Sequence, residues 1–376
     1  MIYKQFQDRK LSALGFGCMR LPTVDGNDAN VNETEAARLI ARAMEGGVNY
    51  YDTAWGYHAG NSETVMGRIL KQYPRDSFFL ADKFPGYDLA NMDKVEEIFD
   101  RQLEKCQADY FDFYLFHNVC EMNIDAYLDP KFHIYDSLIA RKKAGQIKHL
   151  GFSAHGDLNT MRRFLETYGK DMEFCQIQLN WLDWDFQDAR GKVELLDSWG
   201  IPVWVMEPLR GGKLAKLSDE YTARLRELRP DEGVPAWAFR FVQSVPSVAV
   251  TLSGMSTMEQ VEDNLRTFSE EKPLSGQELQ TLLAIADSMT GQTSVPCTAC
   301  RYCTTHCPQG LDIPMLLELY NEHAFTGGGF IAPMRVAQLP DGKKPSACVS
   351  CRSCETVCPQ RIKISETLAS FSARLG

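Results

Sequence analysis

The twelve cysteines of this 376-residue chain are unevenly placed, and their placement constrains it more than any other feature. Cys18, Cys106, Cys120 and Cys175 lie far apart. Cys297, Cys300, Cys303 and Cys307, then Cys348, Cys351, Cys354 and Cys358, crowd into the last eighty residues. Both quartets read C-x2-C-x2-C-x3-C-P, closed by Pro308 and Pro359, which is the thiolate spacing of [4Fe–4S] cubanes. Two intervening residues let a tight loop wrap three thiolates around three iron corners, and the proline turns the chain away after the fourth. Structural zinc takes two ligand pairs set further apart, and a disulfide framework needs an oxidising compartment. The N-terminal MIYKQFQDRK is polar and lacks the apolar core of a secretory signal, so two [4Fe–4S] clusters in a reducing, cytoplasmic setting are expected.

In two-cluster ferredoxins the fourth cysteine of each run serves the other cluster. The spacing therefore predicts Cys297, Cys300, Cys303 and Cys358 around one cluster, and Cys348, Cys351, Cys354 and Cys307 around the second. The forty residues between the quartets exceed what a compact ferredoxin needs, and PMLLELYNEHAF from Pro314 has helical spacing. Residues 291–376 are thus expected to form a small, mainly helical two-cluster module. They hold eight Lys and Arg against six Asp and Glu, so the net −10 of the chain leaves −12 on residues 1–290. Arg301 and Arg352, each beside a ligand cysteine, either soften the negative charge of the clusters or are ordinary solvated loop residues. The four scattered cysteines read as small buried apolar residues.

Residues 1–290 alternate apolar strand-like runs with amphipathic helical stretches. The strand candidates number eight: SALGFGCM, VNYYDTA, FFLADKF, DFYLFHN, IKHLGFS, FCQIQLN, PVWVMEP and VAVTLSG. Between them lie stretches such as NETEAARLIARAMEGG, with Asn32 as N-cap and Gly46–Gly47 as stop, and KVEEIFDRQLEKC. Eight β–α units over this length imply a closed (β/α)8 TIM barrel of the α/β class. The segment before Ser12 is expected to be a hairpin closing the barrel bottom. SGQELQTLLAIADSM reads as a helix leading to a break around Gly291–Pro296, which sets a domain boundary between 290 and 291. Net negative charge argues against a nucleic-acid partner. Apolar runs such as IPVWVMEPL stop near nine residues, so no membrane span is expected.

Barrels of this kind place their chemistry at the C-terminal strand ends. Asp52 and Tyr57 follow the second strand, Lys83 the third and His117 the fourth. DTAWGY, LADKF, LFHN, GFSAHG, QIQLN, EPLRGG and SGMSTMEQVEDN, in that order over roughly residues 1–290, resemble the aldo-keto reductase superfamily. With the two quartets, the chain is similar to the iron–sulfur-containing branch. The resemblance implies an oxidoreductase acting on a small carbonyl-type molecule, with Asp52, Tyr57, Lys83 and His117 as catalytic tetrad. The residue types suit that chemistry. A phenol near pKa 10 is a poor acid or base unless an ammonium supports its phenolate. Lys83 would do this, Asp52 would keep Lys83 charged, Tyr57 would protonate the substrate oxygen, and His117 would hydrogen-bond it.

The same resemblance implies NADP(H) or NAD(H), with Ser153 and Gln176 at the carboxamide and Leu209, Gly211, Gly254, Ser256, Gln260 and Asn264 along the pyrophosphate and adenosine. The sequence departs from that pattern in places. Ala154 stands where an asparagine is usual, Met206 where an aromatic ring is common, and Gln260 where a base often grips a 2′-phosphate. The loop HAGNSE after Tyr57 is longer by about two residues, which loosens the match of Glu63. Clusters pass single electrons while a nicotinamide takes a hydride, so either the clusters are structural or a flavin (FMN) splits electron pairs. A third option is a substrate reduced one electron at a time. A ferredoxin or flavodoxin is the expected donor if the clusters are redox-active; the competing expectations are a ferredoxin-coupled electron-transfer protein with a barrel-bound flavin, its barrel a docking scaffold, and a cofactor-sensing barrel without turnover. Trp55, Tyr57, His58, Trp181 and Trp184 are expected near the mouth, either lining an aromatic pocket or packed beneath loops.

Overall fold

The computed structural model describes residues 1–291, 294–297 and 300–376. Two compact units emerge, Met1–Leu282 and Leu283–Gly376, the division falling inside the helix Gly276–Gly291. Within the expected break at 291–296, Gln292 and Thr293 lie outside the described residues.

The first unit opens with a hairpin of β1 (Tyr3–Phe6) and β2 (Arg9–Ser12). Eight parallel strands follow: β3 (Leu14–Gly17), β4 (Tyr50–Asp52), β5 (Phe79–Phe84), β6 (Phe111–Val119), β7 (Ile147–Ala154), β8 (Cys175–Gln178), β9 (Val203–Met206) and β10 (Val248–Ser253). They close in chain order, with β10 pairing both β9 and β3. All eight are where the apolar runs predicted them. The intervening helices obey their local signals. Asn32 Oδ1 accepts from the Glu35 amide at 3.1 Å to start the helix Glu33–Glu45, and Gly47 at φ +90° takes the left-handed conformation that ends it.

The barrel interior is filled from below. Phe6 and Leu11 of the hairpin join Tyr50, Phe113, Leu115, Phe174, Trp204 and Leu252 in one buried cluster. The Phe6 ring stands 5.1 Å from Trp204 and 5.6 Å from Phe113, so the hairpin is a plug. With the bottom packed by rings, polar side chains gather at the opposite, C-terminal strand ends.

The second unit is helical, and no strand occurs among its described residues. Its helices are Ile313–Thr326, Ile331–Ala337 and Ile364–Leu375. Leu311, Ile313, Leu316, Leu317, Ile362, Ile364 and Leu368 form its core together with Cys303 and Cys354. Among the described residues no helix is long and apolar enough to cross a membrane. Cys18, Cys106, Cys120 and Cys175 are all buried.

Candidate active site and cysteine-lined cavities

Three neighbouring strands carry the expected tetrad to one place. Asp52 ends β4, Lys83 is the penultimate residue of β5, and His117 lies near the end of β6. Tyr57 starts the turn that follows β4. The fully buried Lys83 Nζ donates to Asp52 Oδ1 at 2.5 Å, Thr53 O at 2.7 Å and Tyr57 Oη at 3.4 Å. An ammonium has three hydrogens, so its donor capacity is spent on these oxygens. Tyr57 Oη, already an acceptor, keeps its own hydrogen free to donate.

Burial, the largest single influence, would lower the pKa of Lys83, but the charge and hydrogen bond of Asp52 together with its other acidic neighbours outweigh it and hold the ammonium above its ordinary range. Burial lifts the Asp52 carboxyl, and Lys83 offsets only part of that rise, so its pKa stays above the ordinary value. At Tyr57 burial wins. Lys83 draws the phenol down, yet its pKa stays above the ordinary value, so the side chain rests protonated. Burial, then the Lys83 charge, push His117 well below the usual histidine range, so its ring is neutral at pH 7. His117 Nδ1 is buried without a hydrogen-bond partner.

Several neighbours were not legible from the sequence. Tyr87 packs edge-on to His117 at 5.2 Å, and its hydroxyl fills the space where Gly56 has no side chain, next to Tyr57. The only sequence signal was an aromatic residue in the loop after β5. Behind Lys83, Gln102 Nε2 approaches Glu63 Oε1 at 3.0 Å, Asp82 Oδ1 at 2.9 Å and Lys83 O at 2.9 Å. Lys105 ion-pairs with Glu63. Burial, then the Glu63 charge, raise the Asp82 carboxyl far above its ordinary range. This brace fixes the backbone from which Lys83 projects.

The aromatic residues expected at the mouth divide. Tyr57 and Trp55 are partly exposed, and Lys105 Nζ lies 4.7 Å from the Trp55 ring centre. His58 is buried, accepting from the Leu21 amide at Nε2 (3.0 Å) with Nδ1 2.9 Å from Asp28 O. These bonds hold His58 and Ala59 in left-handed backbone, at φ 54° and 52°. Trp181 has no exposed face, and Trp184 packs edge-on to Phe241 at 5.5 Å, so both act as packing residues.

Ser153 and Gln176 are paired in register on β7 and β8. Ser153 Oγ accepts from the Asn118 amide at 2.8 Å, while Gln176 Oε1 is buried without a partner. Met206 Sδ is 3.7 Å from Gln176 Nε2. Arg20, another residue the sequence reading passed over, lies against Gly254 and near Gly211, and its carbonyl accepts from Ser256 Oγ at 2.7 Å. Leu209 is half-buried and precedes the turn Arg210–Gly212. The Gln260 side chain is occupied by its own helix, accepting from Ser256 N at 2.7 Å in a capping box with Thr257. Asn264 Nδ2 is turned inward to Ser253 Oγ at 3.0 Å. These last two are engaged with the fold.

The second unit contains two cavities lined by cysteines. One is bounded by Cys297, Cys300, Cys303 and Cys358; the other by Cys348, Cys351, Cys354 and Cys307. Each thus gathers three thiols of one run and the fourth of the other. Among the described residues no group of three or more His, Cys, Asp or Glu is arranged to hold a metal ion, while each cavity is lined by four cysteines. Arg301 and Arg352, beside the cysteines, reach Asp312 (2.9 Å) and Glu366 (3.5 Å).

Comparison with known proteins agrees with this layout. Residues 13–287 match the model of the aldo/keto reductase family, and residues 296–363 match that of a 4Fe-4S dicluster domain. The L-galactose dehydrogenase of Arabidopsis thaliana is 26% identical over 73% of this chain and 89% of its own. The NADH-specific methylglyoxal reductase of Escherichia coli (strain K12) is 23% identical over 70% of this chain and 91% of its own. An aldo-keto reductase from Bacillus halodurans, solved in its holo form, is 26% identical with a TM-score of 0.62, covering 76% of this chain and 96% of its own. With its closed eight-stranded barrel and most of its length matched, the chain belongs to the aldo/keto reductase family and carries a C-terminal 4Fe-4S domain.

Proposed function

We propose that the barrel reduces the carbonyl group of an aldehyde or ketone, taking a hydride from NAD(P)H and a proton from Tyr57. The observation that carries this reading is the direction of the hydrogen bonds at Lys83. By donating to Tyr57 Oη at 3.4 Å, Lys83 leaves the phenol hydrogen free for a substrate oxygen. As hydride reaches the carbonyl carbon, that oxygen takes the Tyr57 proton, and the nascent phenolate is left beside a fixed ammonium. The neutral His117 ring offers an N–H to the same oxygen without adding a competing cation.

The nicotinamide reading rests on Gln176, whose orphaned buried Oε1 suits a carboxamide N–H, with the Ser153 hydroxyl beside it. Arg20 and the open backbone at Gly211 and Gly254 suit a pyrophosphate. The name of the NADH-specific relative is consistent with such a donor. The test is Tyr57→Phe in a spectrophotometric assay with a panel of aldehydes and ketones. We expect reduction to fall by roughly two to three orders of magnitude with visible absorbance intact. Unchanged turnover would refute the assignment of Tyr57 as the acid.

We propose further that the two cavities hold two [4Fe–4S] clusters, which supply one-electron chemistry when bound. Cys300 and Cys351 are exposed, so a cluster in either cavity would have an edge open to a ferredoxin- or flavodoxin-type donor. The optical spectrum of anaerobically purified protein tests this, since clusters and a bound FMN absorb in distinct bands. Mixing with reduced ferredoxin and a carbonyl substrate then shows whether the clusters turn over or are structural.

A further inference from the structure

The two cavities are built as near-copies with exchanged roofs. Cys307-Pro308-Gln309-Gly310-Leu311 leads into the helix Ile313–Thr326, and Cys358-Pro359-Gln360-Arg361-Ile362 leads into the helix Ile364–Leu375. Seven and ten residues past Cys307 stand Pro314 and Leu317, which line the cavity of Cys297, Cys300, Cys303 and Cys358. Seven and ten residues past Cys358 stand Ser365 and Leu368, which line the cavity of Cys348, Cys351, Cys354 and Cys307. Leucine matches leucine, but proline faces one cavity where serine faces the other.

That difference is chemical. Ser365 is only 4% exposed, and its Oγ is buried with no hydrogen-bond partner. Its amide is engaged elsewhere, donating to Glu355 Oε1 at 2.8 Å. A buried hydroxyl left unsatisfied is costly, and such groups in folded proteins call for an explanation. Pro314, at the equivalent place, has neither an N–H nor a hydroxyl to donate.

We infer that Ser365 Oγ donates a hydrogen bond to a sulfur of the cluster held by Cys307, Cys348, Cys351 and Cys354, placing its reduction potential above that of its neighbour. This rests on the reading of two [4Fe–4S] clusters given above and assigns them different roles. Reduction adds one electron to a cluster that already carries net negative charge with its four thiolates. A donor at sulfur stabilises the more negative state more, and so raises the potential. The first electron to arrive settles on the Ser365 side, and the Pro314 side holds its electron less tightly.

The test uses the full chain, anaerobically reconstituted. Iron and acid-labile sulfide are assayed first, and less than two cubanes per chain would sink the two-cluster reading itself. Redox titration followed by electron paramagnetic resonance then gives two one-electron midpoints. Ser365→Ala should lower the higher midpoint by roughly tenfold in equilibrium constant, about 59 mV for one electron, and leave the other in place. Ser365→Thr, which keeps the hydroxyl, should restore it. Pro314→Ser should raise the lower midpoint, and it decides the matter if Ser365→Ala fails to hold iron. Iron-replete variants with both midpoints unmoved would overturn the inference, as would a rise in Ser365→Ala.

Discussion

Lys83 Nζ lies 2.5 Å from Asp52 Oδ1, and both side chains are almost entirely removed from solvent. A buried ammonium is tenable only because the carboxylate offsets the loss of hydration. In Asp52→Asn, burial acts on Lys83 unopposed by that charge and lowers its pKa. The cation is then lost as pH rises through the lower value. We expect the alkaline limb of the kcat/KM profile to move toward neutrality while the acid limb stays, measured as the pH dependence of carbonyl reduction.

The neighbouring histidines predict an acid-side loss of stability. Burial lowers His117 well below its ordinary pKa and His155 to about 4. Well above about pH 6.5 neither the folded nor the unfolded state protonates these rings, and at about pH 6.5 the unfolded chain begins to do so appreciably. As pH falls from there toward 4, the unfolded chain binds protons that the folded chain refuses, so folding weakens across that window. His155→Gln removes one of these groups. Its thermal midpoint should drop less steeply than that of the parent protein between pH 6.5 and 4; equal slopes would mean His155 does not titrate as the fold implies.

Much of the barrel was legible because its strands are buried on both faces, so that FFLADKF or DFYLFHN reads as a continuous apolar run broken by the residues that do chemistry. Lys83 stood out as a charge in such a run. The part of Asp82 and Gln102 in bracing it did not, because they meet Glu63 from different elements and each alone looks like an ordinary polar residue. Gln260 illustrates the converse. Its position suggested a cofactor contact, but a helix N-terminus four residues from Ser256 claims the same amide oxygen. His58 looked like a mouth residue until its bond to Leu21, 37 positions away, showed what holds it. In the second unit the cysteine spacing anticipated which thiols line each cavity, whereas the orphaned Ser365 hydroxyl becomes visible only once burial is known.

The hairpin plug makes a stability prediction separable from chemistry. Phe6 packs against Phe113, His149 and Trp204 at the opposite end of the barrel from Tyr57. Phe6→Ala should cost about 3–5 kcal/mol in denaturant unfolding. Carbonyl reduction below the transition should be preserved. Loss of activity in a still-folded variant would mean that the plug also sets the geometry of the strand ends.

The crosswise cavities predict which cysteine substitutions act together. Cys358 belongs to the second run by sequence but lines the cavity of Cys297, Cys300 and Cys303. If each cavity holds one cluster, Cys358→Ala and Cys297→Ala damage the same cluster, and the double variant should lose little more iron than either single one. Cys358→Ala and Cys348→Ala damage different clusters, and their iron losses should add. Ligation within each run reverses the pattern, since Cys358 would then be redundant with Cys348 and additive with Cys297. Iron content per chain in the three single and two double variants separates the two arrangements without reference to turnover, because the comparison depends only on which thiols share a cavity.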